Sequence, residues 1–212
     1  LNTDMIVIRH PSSGAPHLLT QHLTIPIINA GDGLHEHPTQ ALLDMMTILD
    51  HKKTLSGIHV LIVGDILHSR VARSNIFGLQ KMGAHVSVCA PPTLVPPFIE
   101  KLGVTVFYDL KKALRKADVA MMLRIQKERQ GILPFPSIRE YARLFGLHTE
   151  LLDHAKEDLV IMHPGPMNRG IEISGAVADG SRSLILHQVS NGIAVRMAIF
   201  HLLAKGKDGS SD

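Results

Sequence analysis

The chain has 212 residues, room for one large domain or two small ones. Hydrophobic residues make up 45% and aromatics only 4%, with no Trp, so aliphatic side chains and Met must fill the core. Net charge is +3, from 22 Lys and Arg against 19 Asp and Glu, and no run of five basic residues occurs; this charge excludes a nucleic-acid reader.

No signal peptide or apolar run of membrane-spanning length is visible. The single cysteine, Cys89, excludes an intramolecular disulfide and agrees with a reducing cytoplasm. The chain opens on Leu1-Asn2-Thr3-Asp4, almost directly into a strand-like core segment, so a further portion upstream is expected.

Short strands are expected at Met5–Arg9 and Pro26–Ala30, with a helix near Ala15–Gln21. Pro38 suits the first turn of a helix that runs to about Lys52, with Ala41, Leu42, Met45, Met46 and Leu49 at helical spacing. Lys53–Gly57 reads as a hinge or linker. Strand and helix then alternate: strand Ile58–Val63, helix Val71–Met82, strand Ala84–Cys89, a Pro-rich loop, a short helix near Phe98–Lys101 and strand Val104–Tyr108. Helix Leu110–Lys116 and strand Val119–Leu123 lead into a long polar loop, Arg124–Pro136. Helices near Ile138–Phe145 and Thr149–Ala155, strand Leu159–Met162 and a tail helix, Gln188–Lys205, complete the pattern. The tail helix places Val189, Ile193, Met197 and Phe200 on one face. Such alternation favours an α/β fold with a doubly wound parallel sheet.

Ligands on parallel sheets sit at the carboxyl ends of strands, so the residues there matter most. Ile6-Val7-Ile8 runs into Arg9-His10-Pro11, and the segment ending at Ala30 runs through Gly31-Asp32-Gly33 to His37-Pro38-Thr39-Gln40. Arginine, imidazole and amide at adjacent strand ends suit a ligand with a phosphate, a carbonyl and an amide. Val60–Val63 ends in Gly64-Asp65-Ile66-Leu67-His68-Ser69, which lacks the second and third glycines of a dinucleotide-binding turn. Arg70 and Arg73 follow, and one at least could face a ligand carboxylate; the alternative is a solvated helix face. Arg124 and Gln126 fall on one side of an extended backbone, and an arginine fork grips a carboxylate as lysine cannot. His163-Pro164-Gly165-Pro166 is a stiff turn whose carbonyls can accept from an amide. His35, Glu36 and His37 lack metal-ligand spacing, and no Gly-x-Ser-x-Gly is present, so neither a metal centre nor a serine hydrolase is expected.

Five stretches in register resemble the aspartate/ornithine carbamoyltransferase family: Val7–Pro11, His37–Gln40, Gly64-Asp65 with His68–Asn75, Arg124–Arg129 and His163–Gly170. The threonine of His-Pro-Thr-Gln and the Arg-x-Gln-x-Glu-Arg segment resemble the aspartate branch. The resemblance implies two Rossmann-like parallel-sheet domains, the first one incomplete here. Residues 1–53 with helix 188–205 would form part of the carbamoyl-phosphate domain, and 58–186 the aspartate domain. It implies carbamoyl transfer from carbamoyl phosphate to L-aspartate, an early step of pyrimidine synthesis, with no metal or organic cofactor. Arg9 and His37 would be catalytic, against the carbamoyl oxygen, with Arg9 also on the phosphate. Gln40 and the backbone at Pro164, Gly165 and Pro166 would hold the carbamoyl amide, while Arg70, Arg124 and Gln126 would hold the aspartate carboxylates. The family's catalytic chain forms homotrimers in the cytoplasm, and regulatory chains are possible partners. The family's Ser-Thr-Arg-Thr phosphate loop, and the loop reaching into a neighbour's site, would lie upstream of Leu1. About a third of a family chain is therefore expected to be absent, and these residues alone are expected to turn over poorly. Two alternatives stay open: a non-catalytic subunit of the same fold, and a carbamoyltransferase for another amino acid.

Overall fold

The computed structural model describes residues 3–125 and 137–208. Two parallel sheets carry the chain. The smaller pairs β1 (Ile6–His10) with β2 (Ile27–Asp32), with Ile6 opposite Ile27 and Ile8 opposite Asn29. Between them lies the short helix α1 (Ala15–Thr20). Most expected strand and helix positions hold to within a residue or two at each end; the tail helix is longer, Ile185–Asp208, and the short helix Gly175–Ala178 has no counterpart in the sequence reading.

The larger sheet contains β3 (His59–Val63), β4 (His85–Cys89), β5 (Thr105–Phe107), β6 (Val119–Met122) and β7 (Val160–Met162). Their order is β5-β4-β3-β6-β7, all parallel. Val60–Val63, Val119–Met122 and Val160–Met162 are buried throughout, as strands covered on both faces must be. The chain moves outward from β3 through β4 and β5, then crosses back to β6 and β7. The crevice between the ends of β3 and β6 is thus the topological switch point, where such sheets bind ligands. Gly64 makes that junction possible: its φ is +128°, and a Cβ there would meet the Leu123 Cβ and carbonyl at 3.0 Å.

Three helices frame the site. α2 (Pro38–Lys52) begins with Pro38 in its first turn, as its fixed φ favours, and ends at Lys53 in the left-handed region. α3 (Arg70–Lys81) is capped by Ser69, whose hydroxyl accepts from Ala72 N at 3.1 Å. Both α3 and α7 (Ile185–Asp208) pack on α2. The remaining helices are α4 (Leu110–Leu114), α5 (Ile138–Phe145) and α6 (Gly175–Ala178); the segments near 99–102 and 149–154 are tight 3₁₀ turns.

Two expectations need adjustment. Lys53–Gly57 is no free linker: Leu55 is buried in the main core and Gly57 N donates to Gly83 O at 2.8 Å. The apolar face of α7 is not its packing face. Val189, Ile193 and Met197 are each more than 60% exposed, and the helix meets α2 instead through Gln188, Asn191 and Gly192. Asn191 Nδ2 donates to Thr47 Oγ1 at 3.1 Å and to Asp50 Oδ2 at 3.0 Å. Among the described residues, no helix is long and apolar enough to cross a membrane.

Candidate active site

A cavity of about 420 Å³ opens at the switch point, and nearly every sequence-derived candidate lines it. Arg9 comes from the end of β1, His37 and Gln40 from the start of α2, and Arg70 from the first position of α3. Arg124 follows β6, and Pro164, Gly165 and Pro166 follow β7. Gln126 lies outside the described residues. Arg196, from α7, is a fourth guanidinium on the wall. Sequence reasoning misses it, because it sits alone in a mostly apolar helix that contributes nothing else charged to the site. Arg73 faces elsewhere: its Nε donates to Glu36 Oε1 at 3.3 Å and its guanidinium stacks over Phe77.

Arg70 is set by a close approach to backbone. Its guanidinium lies on Gly31, where a Cβ would stand 2.6 Å from Arg70 Cζ and 2.8 Å from Nε. Gly31 has φ +113°, and its N–H donates to Asn29 Oδ1 at 2.7 Å. Asp32, 1% exposed, ties this turn down by accepting from Gly14 N, Asn29 Nδ2 and Glu36 N. The same hydrogen bonds hold its carboxyl below the usual carboxylate range against the opposing effect of burial.

His37 is held at both ends. Its backbone N–H donates to Ser74 Oγ at 2.8 Å, and the Ser74 hydroxyl in turn donates to Glu36. Thr39 Oγ1 lies 3.4 Å from His37 Nδ1. With Nδ1 accepting from that hydroxyl, Nε2 carries the proton. Burial pushes the imidazole down to about 4, helped by the positive charges of Arg70, Arg9 and Arg196. At neutral pH it is therefore an uncharged donor.

Gln40 Nε2 donates to Asp44 Oδ1 at 2.9 Å. Asp44 is fully buried and also accepts from Gln188 Nε2 at 2.7 Å and Asn75 Nδ2 at 2.8 Å. Burial raises its carboxyl to about 6, although these amides and the Arg196 charge oppose the rise. The turn after β7 is pinned by His163, 2% exposed: Nδ1 accepts from Gly165 N at 2.9 Å, and Nε2 faces Glu172 Oε1 at 3.3 Å. Sequence reasoning misses Asp44, Asn75, Gln188 and Glu172 as well. Among the described residues no cluster of His, Cys, Asp or Glu could hold a metal ion, and His35 instead pairs with Asp32.

Four guanidiniums and a neutral imidazole around one concave site make a receptor for a ligand with several negative charges. Two regions of the chain match family models for the carbamoyltransferases. Residues 56–203 match "Aspartate/ornithine carbamoyltransferase, Asp/Orn binding domain" and residues 1–50 match the carbamoyl-P binding domain of the same enzymes. The chain belongs to the aspartate/ornithine carbamoyltransferase family. It is 59% identical over 205 residues to the aspartate carbamoyltransferase catalytic subunit of Ruminiclostridium cellulolyticum, covering 97% of this chain and 66% of that relative. With the same subunit of Acetivibrio thermocellus it shares 57% over 211 residues, covering 100% of this chain and 68% of the relative. The chain thus spans about two thirds of the length of these curated relatives. Among solved structures, aspartate transcarbamoylase from Trypanosoma cruzi in complex with carbamoyl phosphate and aspartate superposes with a TM-score of 0.80 at 30% identity, covering 96% of this chain and 67% of that one. Ornithine carbamoyltransferase from Pyrococcus furiosus gives 0.85 at 29%, covering 97% and 68%. The two Rossmann-like sheets expected of this family are the ones described above.

Proposed function

We propose that this chain carries the carbamoyl-transfer site of an aspartate carbamoyltransferase, which joins carbamoyl phosphate to L-aspartate. The observation that supports this best is the convergence of Arg9, His37, Gln40, Arg70 and Arg124 on one cavity at the switch point. Residues 1–53 with 188–205 of the last helix would serve the carbamoyl phosphate side, and 58–186 the aspartate side.

In this reading the aspartate amine attacks the carbamoyl carbon, and the C–N bond forms as the carbonyl π pair moves to oxygen. Arg9 and the Nε2 proton of His37 meet that growing charge. Fixed donors of this kind are worth about 2.7–4 kcal/mol each in oxyanion sites. A neutral imidazole suits this role because it donates a hydrogen bond without giving up its proton. The oxyanion pair then re-forms the carbonyl as the bond from the carbamoyl carbon to the bridging oxygen breaks, and phosphate leaves with that electron pair and is basic enough to take the amine proton. Gln40 and the 164–166 backbone orient the carbamoyl amide, while Arg70, Arg124 and Gln126 hold the two carboxylates. Orientation and charge stabilisation suffice because the acyl phosphate brings its own leaving group. Arg196 adds positive charge to the same wall.

A homotrimer in the cytoplasm, with regulatory chains as further partners, is the assembly that family membership suggests. Sedimentation would test it. The activity reading is tested by calorimetric titration with N-(phosphonacetyl)-L-aspartate, which joins a phosphonate to two carboxylates. Binding that carbamoyl phosphate competes away, and that Arg9→Ala and Arg70→Ala each weaken, is expected. A failure to bind would overturn the reading, and preference for an ornithine-based analogue would move it to the other branch.

A further inference from the structure

A backbone N–H cannot be turned round, and one of them sets the direction of a buried chain of amides. His163 N donates to Gln188 Oε1 at 2.9 Å, so Gln188 must turn its Nε2 to Asp44 Oδ1, 2.7 Å away. The same Asp44 oxygen takes Gln40 Nε2 at 2.9 Å. The amide oxygen is the part of Gln40 left for the cavity that it lines. We propose that Asp44 and Gln188 are positioning residues that fix this direction, so that the cavity selects an acyl phosphate bearing NH2 over one bearing a methyl group. The inference rests on the reading of the cavity as a carbamoyl-phosphate site. A carbamoyl NH2 donates to the Gln40 oxygen; a methyl group cannot, and leaves that oxygen desolvated without a partner. Asn75 is the soft end of the network. Its Nδ2 donates to Asp44 Oδ2 at 2.8 Å and to Val71 O at 3.1 Å, while its Oδ1 has no hydrogen-bond partner among the described residues. Asn75 can turn its amide over at the cost of its bond to Val71 O, whereas Gln188 cannot, because its Nε2 would then face the His163 N–H.

The test compares two phosphonates of equal shape, phosphonoacetamide and acetonylphosphonate, by NMR titration of this chain and two variants. The wild type is expected to prefer the amide by about tenfold or more. In Asp44→Asn the new amide oxygen has to stay on the glutamine side, because Gln188 is locked, and Asn75 turns over to accept from the new amide nitrogen. The preference is expected to survive. The double variant Asp44→Asn/Gln188→Glu moves the carboxylate to position 188, where it accepts from both His163 N and the new amide nitrogen. That nitrogen's second hydrogen then goes to Gln40 Oε1, and the new amide oxygen accepts from Asn75. Net charge and the number of buried hydrogen bonds are unchanged, yet Gln40 now offers NH2 to the cavity. The preference is expected to fall at least about threefold below that of the wild type, with the 164–166 carbonyls keeping the remainder and little change in affinity for acetonylphosphonate. A merely structural or electrostatic role would leave the ratio alone in the double variant. A double variant that keeps the preference, or a folded Asp44→Asn that loses it, overturns the inference alone. A wild type that binds neither compound overturns the cavity reading, and the inference with it. If the double variant does not fold, the single variant decides.

Discussion

Replacing Gly31 with alanine separates the geometry of Arg70 from the stability of the turn beneath it. The new methyl group would stand 2.6 Å from Arg70 Cζ and 2.8 Å from Nε, so the guanidinium must move. The backbone at φ +113° is also strained for an L side chain, at about 1–3 kcal/mol. For a domain of this size each kcal/mol lowers Tm by about 2–4 °C, so a fall of about 2–12 °C is expected. If Arg70 holds a ligand carboxylate as proposed, displacing it removes a charge-assisted hydrogen bond, about 1.5–3 kcal/mol. N-(phosphonacetyl)-L-aspartate should then bind about 10- to 150-fold more weakly. Gly57→Ala is the control: its φ is +79°, with nothing within 4 Å of the added Cβ. It should cost stability and leave binding alone. Calorimetry and thermal unfolding on both variants decide the matter. Unchanged ligand affinity in Gly31→Ala, with a Tm loss like that of Gly57→Ala, would refute the argument that Arg70 is held over Gly31 for ligand contact.

Other outcomes follow from the same geometry. His37 and Asp44 should pull stability in opposite directions with pH. Between 6.5 and about 4 the unfolded chain takes up the His37 proton first, so this residue costs stability as pH falls. From about 6 down to 3.8 the folded chain takes up the Asp44 proton first, so that residue adds stability as pH falls. The two nearly cancel in the wild type. Urea unfolding of Asp44→Asn should show stability falling toward low pH relative to wild type, and His37→Gln the reverse, each by up to about 1.4 kcal/mol per pH unit. Parallel curves would contradict both shifts. Arg70→Lys should weaken binding of the same bisubstrate compound by about tenfold, since an ammonium cannot reproduce a bidentate grip; an unchanged Kd would remove Arg70 from the carboxylate site. Gly64→Ala should destabilise by about 2 kcal/mol or more, because backbone strain adds to a contact with the Leu123 Cβ and carbonyl at 3.0 Å; chemical denaturation would reveal a neutral result.

The strands are legible in the sequence because burial on both faces writes itself as unbroken apolar runs, as in Val60–Val63 and Val119–Met122. The site is legible because strand ends and helix starts are where ligands meet parallel sheets, and Arg9, His37, Gln40, Arg70 and Arg124 all fall there. Arg196 and Gln188 escape because α7 reaches the site through tertiary packing, with Gln188 lying 144 residues from the Asp44 it contacts. Nothing local marks a polar residue whose partner is so distant. The packing face of α7 is hidden for a related reason. Its apolar stripe follows helical periodicity, whereas the contact with α2 is made by amides and a glycine, which periodicity does not weigh. Asp44 looks like an ordinary helix residue; only its burial and its three amide partners reveal its role.

The most direct test is a crystal structure with N-(phosphonacetyl)-L-aspartate bound. The phosphonate is expected at Arg9, the amide carbonyl oxygen on His37 Nε2, and the two carboxylates on Arg70 and Arg124. A ligand seated away from the ends of β3 and β6, or one whose carboxylates touch neither arginine, would contradict this placement.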